Sequence, residues 1–388
     1  MQLSVIILNY NVRYFLELCI QSVQEALINI ESEIIVIDNN SDDESCEMVR
    51  TRFVNVKLIE NKGNLGFPKG NNIGVAQAQG KYICILNPDT VVADDTFLKV
   101  LTFAENQENL GIVGCRLIDG AGNFLPECKR GVPTPWVAFT KIMGLYKLFS
   151  QSRILGKYYA QHLTDKETGK VDILVGAFML MKRDLFLEIG GFDEDCFMYS
   201  DDIDLSYRVL KSGRFNYYFP ETTIIHYKGE STVKDELYMK RFQEAMQFFY
   251  KKHFKVYTLF TFFMKTGSYF FSFAKRIQGN STIKKVPKSY LLYSLDDKLL
   301  NKLQLVLQKK VLFHNLKTEK MVISSPYSNA KGIEIILDNE FISFKECIQI
   351  LESLKNKELT FKICPKNANF LIGSNNSIER GEIIKIEL

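Results

Sequence analysis

Tyr82-Ile83-Cys84-Ile85-Leu86-Asn87-Pro88-Asp89-Thr90 is an apolar run that stops on a proline and a carboxylate. Five consecutive apolar residues read as a strand buried on both faces, as in a parallel sheet. Pro88 has no N–H for the ladder, so the strand ends before it. Open α/β sheets bind their ligands just beyond the carboxyl ends of their strands, and Asp89 stands at such an end. Taken alone, an Asp after a strand is usually a turn residue or a helix cap. Here the arrangement recurs. Ile34-Ile35-Val36-Ile37 runs into Asp38, and an acidic cluster, Asp201-Asp202-Ile203-Asp204, follows later.

Working outward, residues 1 to about 118 alternate strand and helix. Ser4–Leu8 is a strand. Arg13–Asn29 carries Leu16, Cys19, Ile20, Val23, Ala26 and Leu27 on one helical stripe. Ser41 and Glu44 fit a capping box for the next helix, and Val56–Ile59 is a third strand. This rhythm predicts a doubly wound, mostly parallel α/β sheet with right-handed crossovers. Residues 119–170, rich in Gly and Pro and holding Trp136, lose the rhythm, as functional loops often do. Asp172–Met181 reads as one strand and Arg183–Ile189 as a short helix. The turn Gly190-Gly191-Phe192-Asp193 and the acidic helix come next. Strands at Phe215–Phe219 and Thr223–Tyr227 close a first domain, residues 1–235. Residues 236–289 form a basic, aromatic segment. Residues 290–388 form a small α/β unit with a strand at Ile333–Leu337, a helix at Ser343–Leu354 and a strand at Leu359–Ile363.

The 388 residues suffice for more than one core. A net charge of +4 is too small to imply nucleic acid. The eight cysteines show no CxxC and no metal-ligand spacing, and several fall inside apolar runs. They read as reduced core residues of a cytoplasmic protein. The opening residues predict a strand, not a signal peptide. No stretch reaches the ~18 uncharged apolar residues of a membrane span.

An acid closing the second strand would suit a dinucleotide fold. But the first strand runs into Asn9-Tyr10-Asn11, not a G-x-G-x-x-G turn. A Walker A loop is missing too, so the sheet is expected to hold a nucleotide by other means.

Five stretches together resemble the family 2 inverting glycosyltransferases of the GT-A fold, in particular their rhamnosyltransferase-like branch. They are Ser4–Asn11; Val36–Ser41; Asn64-Leu65-Gly66-Phe67 with Gly70-Asn71-Asn72; Leu86–Asp89; and Gly190–Asp193 leading to Asp201–Leu205 and Arg208. His226, followed by Gly229 and Ser231, resembles the closing histidine motif of that family. The match covers residues 1 to about 235. It implies transfer of a sugar, possibly rhamnose, from a UDP- or dTDP-linked donor. The acceptor would be a hydroxyl of a glycan or lipid-linked glycan in surface polysaccharide synthesis. The leaving diphosphate needs its charge stabilised, and Mn²⁺ or Mg²⁺ bound by oxygen ligands does this. The resemblance gives Asp89 and His226 as metal ligands, with Asn87 standing where many members carry an acid. His226 is otherwise readable as a core histidine. Inversion needs a base for the acceptor proton. The resemblance makes this Asp202, with Asp201 beside it raising its pKa; an acidic helix N-terminus is the plainer reading of the pair. Asp38 would read the uracil or thymine. Asn9, Asn64, Gly66 and Asn71 would line the same pocket, the last three within a glycine-rich Gly63–Gly74 loop. Arg208 would meet the acidic cluster or a phosphate.

Lys251–Lys288 holds nine Lys or Arg, no Asp or Glu, and nine aromatics. Such interleaving suits an anionic membrane surface and, alternatively, a helix packed on the first domain. The acceptors of the family favour the membrane, which would make the protein cytoplasmic and peripheral on the inner face. Two competing functions are a sugar nucleotidyltransferase, whose loop after the first strand is missing here, and a degenerate nucleotide-sugar-binding protein, which Asn87 keeps open.

Overall fold

The computed structural model describes residues 1–134, 136–137, 157–228, 236–254, 286–317, 332–355, 358–376 and 380–386. In chain order the first unit contains β1 (Leu3–Asn9), α1 (Arg13–Ala26), β2 (Ser32–Asp38), α2 (Ser45–Arg52), β3 (Lys57–Glu60), α3 (Phe67–Ala76), β4 (Tyr82–Leu86), β5 (Thr90–Val91), α4 (Thr96–Glu105) and β6 (Leu110–Ile118). Then come β7 (Lys129–Arg130), β8 (Gly169–Val171), β9 (Ile173–Leu174), β10 (Phe178–Lys182), α5 (Arg183–Glu188), α6 (Asp201–Lys211), β11 (Phe215–His226) and α7 (Glu236–His253).

Nine strands form one sheet in the order β3-β2-β1-β4-β10-β6-β11-β5, with β8 on β11. The pairs β1–β2, β1–β4, β2–β3 and β6–β11 are parallel, whereas β10 runs antiparallel between β4 and β6. The mostly parallel sheet agrees with the sequence reading. Leu3 through Ile7 and all of β4 are buried, so their unbroken apolar runs face helices on both sides.

Four local expectations need correction. The glycine-rich stretch ending at Gly74 is a loop only as far as Gly66; α3 follows. A Cβ on Gly70 would lie 2.4 Å from Leu8 Cδ1, and one on Gly74 2.5 Å from Ile37 Cδ1. These glycines let α3 lie close on the sheet; they do not make a turn. The Ser41/Glu44 capping box does not form. Glu44 is the N-cap in a left-handed conformation, the backbone N–H of Ser45 donates to Asp43 Oδ1 at 3.2 Å, and the Ser41 hydroxyl serves β1 instead. Asp172–Met181 is two strands, because Val175-Gly176-Ala177 leaves the ladder. The two strands expected after Phe215 are one strand, β11, with a register break between Phe219 and Thr223, where Pro220 cannot donate.

The C-terminal unit has β12 (Ser289–Ser294), α8 (Asp297–Leu307), β13 (Val311–Asn315), β14 (Ile333–Asp338), α9 (Phe344–Leu354), β15 (Thr360–Cys364), β16 (Phe370–Gly373) and β17 (Glu382–Lys385). Its sheet runs β13-β12-β14-β15-β16-β17. A Ser343–Glu346 capping box starts α9. This unit is docked on the first. Val12, Phe15, Val91 and Tyr227 share one buried cluster with Ile335, Phe344, Leu351 and Phe361. Arg116 pairs with Glu352, and Lys345 with Asp95 at 2.7 Å. Among the described residues no helix is long and apolar enough to cross a membrane. The basic, aromatic stretch lies outside the described residues from 255 to 285.

Candidate active site

Strand β1 connects onward through α1 to β2, while β4 lies on its other side, so the sheet reverses its winding between β1 and β4. A crevice opens at the carboxyl ends there. On the β1–β2 side, parallel register sets Asn9 beside Asp38. Asn9 Nδ2 donates to Asp38 Oδ2 at 2.7 Å and to Ser41 Oγ at 3.1 Å. The backbone N–H of Ser41 donates to Asp38 Oδ1 at 2.7 Å. Asp38 is therefore held by both oxygens and buried. Asn9 Oδ1 is buried with no donor of its own.

An asparagine network extends this side. Asn61 Nδ2 donates to Asn39 Oδ1 at 2.9 Å, and Asn39 Nδ2 donates to Asn64 Oδ1 at 3.3 Å and to Gly66 O at 3.3 Å. Asn64 Oδ1 also accepts from the N–H of Gly66 at 3.0 Å. Gly66 has φ +81°, and a Cβ there would meet Phe197 O at 2.7 Å, so this position demands glycine. Asn71 sits inside α3, donates to Phe67 O at 2.9 Å and leaves its Oδ1 buried and unpaired.

On the β4 side, the N–H of Asn87 donates to Ala177 O at 3.0 Å, and the N–H of Tyr227 to Asp89 O at 3.0 Å. The antiparallel pairing of β5 with β11 sets His226 opposite Thr90 and so beside Asp89. Asp89 Oδ1 lies 3.4 Å from His226 Nε2, too poorly aligned for a hydrogen bond, and is buried with no donor. Asn87 Nδ2 lies 3.3 Å from the same Nε2. Among the described residues no three His, Cys, Asp or Glu side chains converge as a complete metal cage.

The N-terminus of α6 forms the facing wall. Asp202 Oδ2 accepts from Arg130 Nη2 at 2.6 Å and from the N–H of Gly176 at 3.2 Å. Gly176 and Ala177 thus tie α6 to the end of β4. Asp201 is buried, and its carboxyl is pushed up to about 7, first by burial and then by the Asp202 charge. Burial alone would raise Asp204 as well, but Arg208, Lys252 and His253 hold it below its usual range. Arg208 is fully engaged away from this wall: Nε donates to Asp204 at 2.7 Å, Nη1 to Ile189 O at 2.7 Å and Nη2 to Gly191 O at 2.6 Å. It staples the Gly190-Gly191 turn, where both residues have positive φ.

The structure therefore gathers Asn9, Asp38, Asn64 and Gly66 on one side and Asn87, Asp89 and His226 on the other, with Asp202 joined to the end of β4 through Gly176 and Asp201 next to it in α6. Asn71 and Arg208 make their contacts within the scaffold. Residues not singled out from sequence are Asn39, Asn61, Arg130 and Gly176. The asparagines carried a signal, since each follows a strand end. Arg130 carried none.

A crevice at the reversal of winding, flanked by strand-end carboxylates and an acidic helix start, is where open α/β sheets bind their ligands. Residues 4–190 match the family described as Glycosyl transferase family 2, and the chain is similar to that family over this stretch. Similar proteins include the N-acetylglucosaminyl-diphospho-decaprenol L-rhamnosyltransferase of Mycobacterium tuberculosis, 26% identical over 213 residues, covering 52% of this chain and 68% of that protein. Rhamnosyltransferase WbbL of Escherichia coli is 27% identical over 200 residues, covering 50% of this chain and 72% of that protein. Among solved structures, the mannosyltransferase PcManGT from Pyrobaculum calidifontis, in complex with GDP-Man and Mn²⁺, aligns with a TM-score of 0.44 at 19% identity. That alignment covers 63% of this chain and 62% of the other, less than two thirds of its length.

Proposed function

We propose that the chain is a metal-assisted, inverting transferase that moves a sugar, rhamnose foremost, from a UDP- or dTDP-linked donor to a hydroxyl of a lipid-linked glycan. The observation that carries this reading is Asp89 Oδ1, buried without a donor 3.4 Å from His226 Nε2. A buried carboxylate oxygen with no donor, 3.4 Å from an imidazole nitrogen, is a pair of ligand atoms that a divalent cation can join. Asp89 and His226 would hold Mn²⁺ or Mg²⁺, with further oxygen ligands from the donor. When bound, the ion neutralises charge building on the departing diphosphate.

The remaining work falls to the chain. Asp38, with Asn9 beside it, would bind the base, and the Asn39–Asn61–Asn64 network would shape the loop around the nucleoside. Asp202 would take the acceptor proton. Asp201, held partly protonated, limits the negative charge at that wall. The Mycobacterium relative is named for a diphospho-decaprenol-linked sugar, which supports a lipid-linked acceptor here. The Lys251–Lys288 composition supports a seat on the anionic inner face of the membrane.

Thermal stabilisation by UDP-, dTDP- and GDP-sugars, each with and without Mn²⁺, tests the proposal. A UDP- or dTDP-sugar should raise the melting temperature, and more with Mn²⁺. Stabilisation that is equal with and without the metal overturns the metal role. Stabilisation by GDP-sugars alone overturns the donor class.

A further inference from the structure

We propose that Arg130 is a positioning residue for the proton transfer: it fixes the Asp202 carboxylate by one oxygen and leaves the other to receive the acceptor's proton. The inference rests on the reading of Asp202 as the base.

Strand β7 is only Lys129 and Arg130, paired antiparallel with β9. Successive strand residues point to opposite faces, and the two cations do opposite things. Lys129 Nζ donates to the carbonyls of Tyr159, Ala160 and Leu163 at 3.3, 3.1 and 2.8 Å, which anchors the strand. Arg130 turns the other way and meets Asp202 Oδ2 at 2.6 Å. The N–H of Gly176 reaches the same oxygen, so Oδ2 holds two donors. Among the described residues Oδ1 holds none.

The contrast with Arg208 separates positioning from scaffolding. Arg208 spends Nε, Nη1 and Nη2 on protein acceptors. Arg130 engages only Nη2, and its Nε is buried with no acceptor. A guanidinium placed merely to knit the fold would use its fork. Among the described residues this one makes a single hydrogen bond, to a carboxylate whose other oxygen holds no protein donor. The side chains are 15% and 10% exposed, so water screens the pair only in part.

The acceptor O–H proton passes to Asp202 Oδ1, and the acceptor oxygen bonds to the anomeric carbon. The bond from that carbon to the diphosphate oxygen breaks, and its electron pair leaves with the diphosphate. Asp202 must begin this step ionised. The charged and titratable groups around it are Asp201 on the same helix and Arg130 from β7, with Tyr158 and Glu127 beside Arg130. Arg130 is the cation among them.

The test is the split between kcat and donor KM in R130Q, R130K and D202N. In R130Q kcat should fall about tenfold or more, with KM for the donor unchanged. A wild-type kcat in R130Q, or a loss that falls on donor KM instead, overturns the proposal. R130K keeps the charge but not the reach of the fork. It should turn over about tenfold slower or worse, with donor KM unchanged. Near wild-type turnover in R130K overturns the positioning role even where R130Q does not fold. D202N separates the two failures: if it stays active, the base assignment itself is wrong, whereas if it is inactive while both Arg130 variants behave as wild type, only the role of Arg130 fails.

Discussion

Replacing Asp202 by Asn isolates proton transfer from everything else at the α6 wall. The amide oxygen can still accept from Arg130 Nη2 and the Gly176 N–H, which sit 2.6 and 3.2 Å from Oδ2. The amide cannot accept a proton from an attacking hydroxyl. Loss of a general base costs ~100- to 10,000-fold in rate, or about 2.7–5.5 kcal/mol of barrier. Stability should suffer less than the ~3–5 kcal/mol typical of breaking a buried pair, because both hydrogen bonds survive and Asp201 remains as a counter-charge. Initial transfer rates at saturating donor, beside calorimetric donor affinity with Mn²⁺, separate the effects: turnover should collapse while affinity holds. Asp201→Asn is the control and should cost little rate. If Asp202→Asn turns over near the wild-type rate, or Asp201→Asn shows the larger loss, the base has been placed wrongly. If donor affinity falls with the rate, Asp202 is a binding group.

Asp89→Ala should abolish transfer and the Mn²⁺-dependent part of donor affinity, with His226→Ala weakening metal dependence less; unchanged calorimetric affinity in Asp89→Ala rules out a ligand role. Asp38→Ala should weaken UDP or dTDP binding and cost ~1–3 kcal/mol of stability by leaving Asn9 and Ser41 without their acceptor; nucleotide binding as tight as wild type refutes the base-reading role. The folded protein holds Asp201's proton up to about 7, from an ordinary 3.8, whereas the unfolded chain releases it near the ordinary value. This group therefore costs stability increasingly as pH rises through that window. Asp201→Asn should gain on wild type in urea midpoint between pH 4 and 7, and parallel curves would refute this. The full chain should float with phosphatidylglycerol vesicles at low salt and release at high salt, since each basic residue near an anionic surface contributes ~1 kcal/mol; no flotation at low salt favours the packed-helix reading of Lys251–Lys288.

What the sequence disclosed follows from how each feature is held. The strands β1, β2 and β4 were readable because burial on both faces demands unbroken apolar runs. Their ends were readable because Asp38 and Pro88-Asp89 interrupt those runs. The direction of β10 was not, since an apolar run does not record which way it crosses the sheet. Helix α3 was hidden because Gly70 and Gly74 serve close packing on Leu8 and Ile37, and their spacing imitates a loop. Arg130 was hidden in a stretch without periodicity, and its contact with Asp202 is purely tertiary. His226 reached the site only through resemblance, because the β5–β11 pairing that brings it to Asp89 joins distant segments. In the C-terminal unit, β14, α9 and β15 were legible but its docking was not. The apolar face of α9 reads the same whether its own sheet covers it or a neighbouring unit does.

The amide at Asn87 bears on the charge of the crevice. Asn87 Nδ2 lies 3.3 Å from His226 Nε2, and Asp89 Oδ1 lies 3.4 Å from the same nitrogen. An imidazole nitrogen carries either a proton or one in-plane lone pair, so it can donate to the carboxylate or accept from the amide, not both. An ionised acid at position 87 could only accept. It would also add a carboxylate to a crevice that already gathers Asp38, Asp89, Asp201 and Asp202 and, on the proposed reading, must admit a diphosphate. With Asn87 in place, the end of β4 presents one carboxylate beside the histidine, and the neutral amide adds no charge.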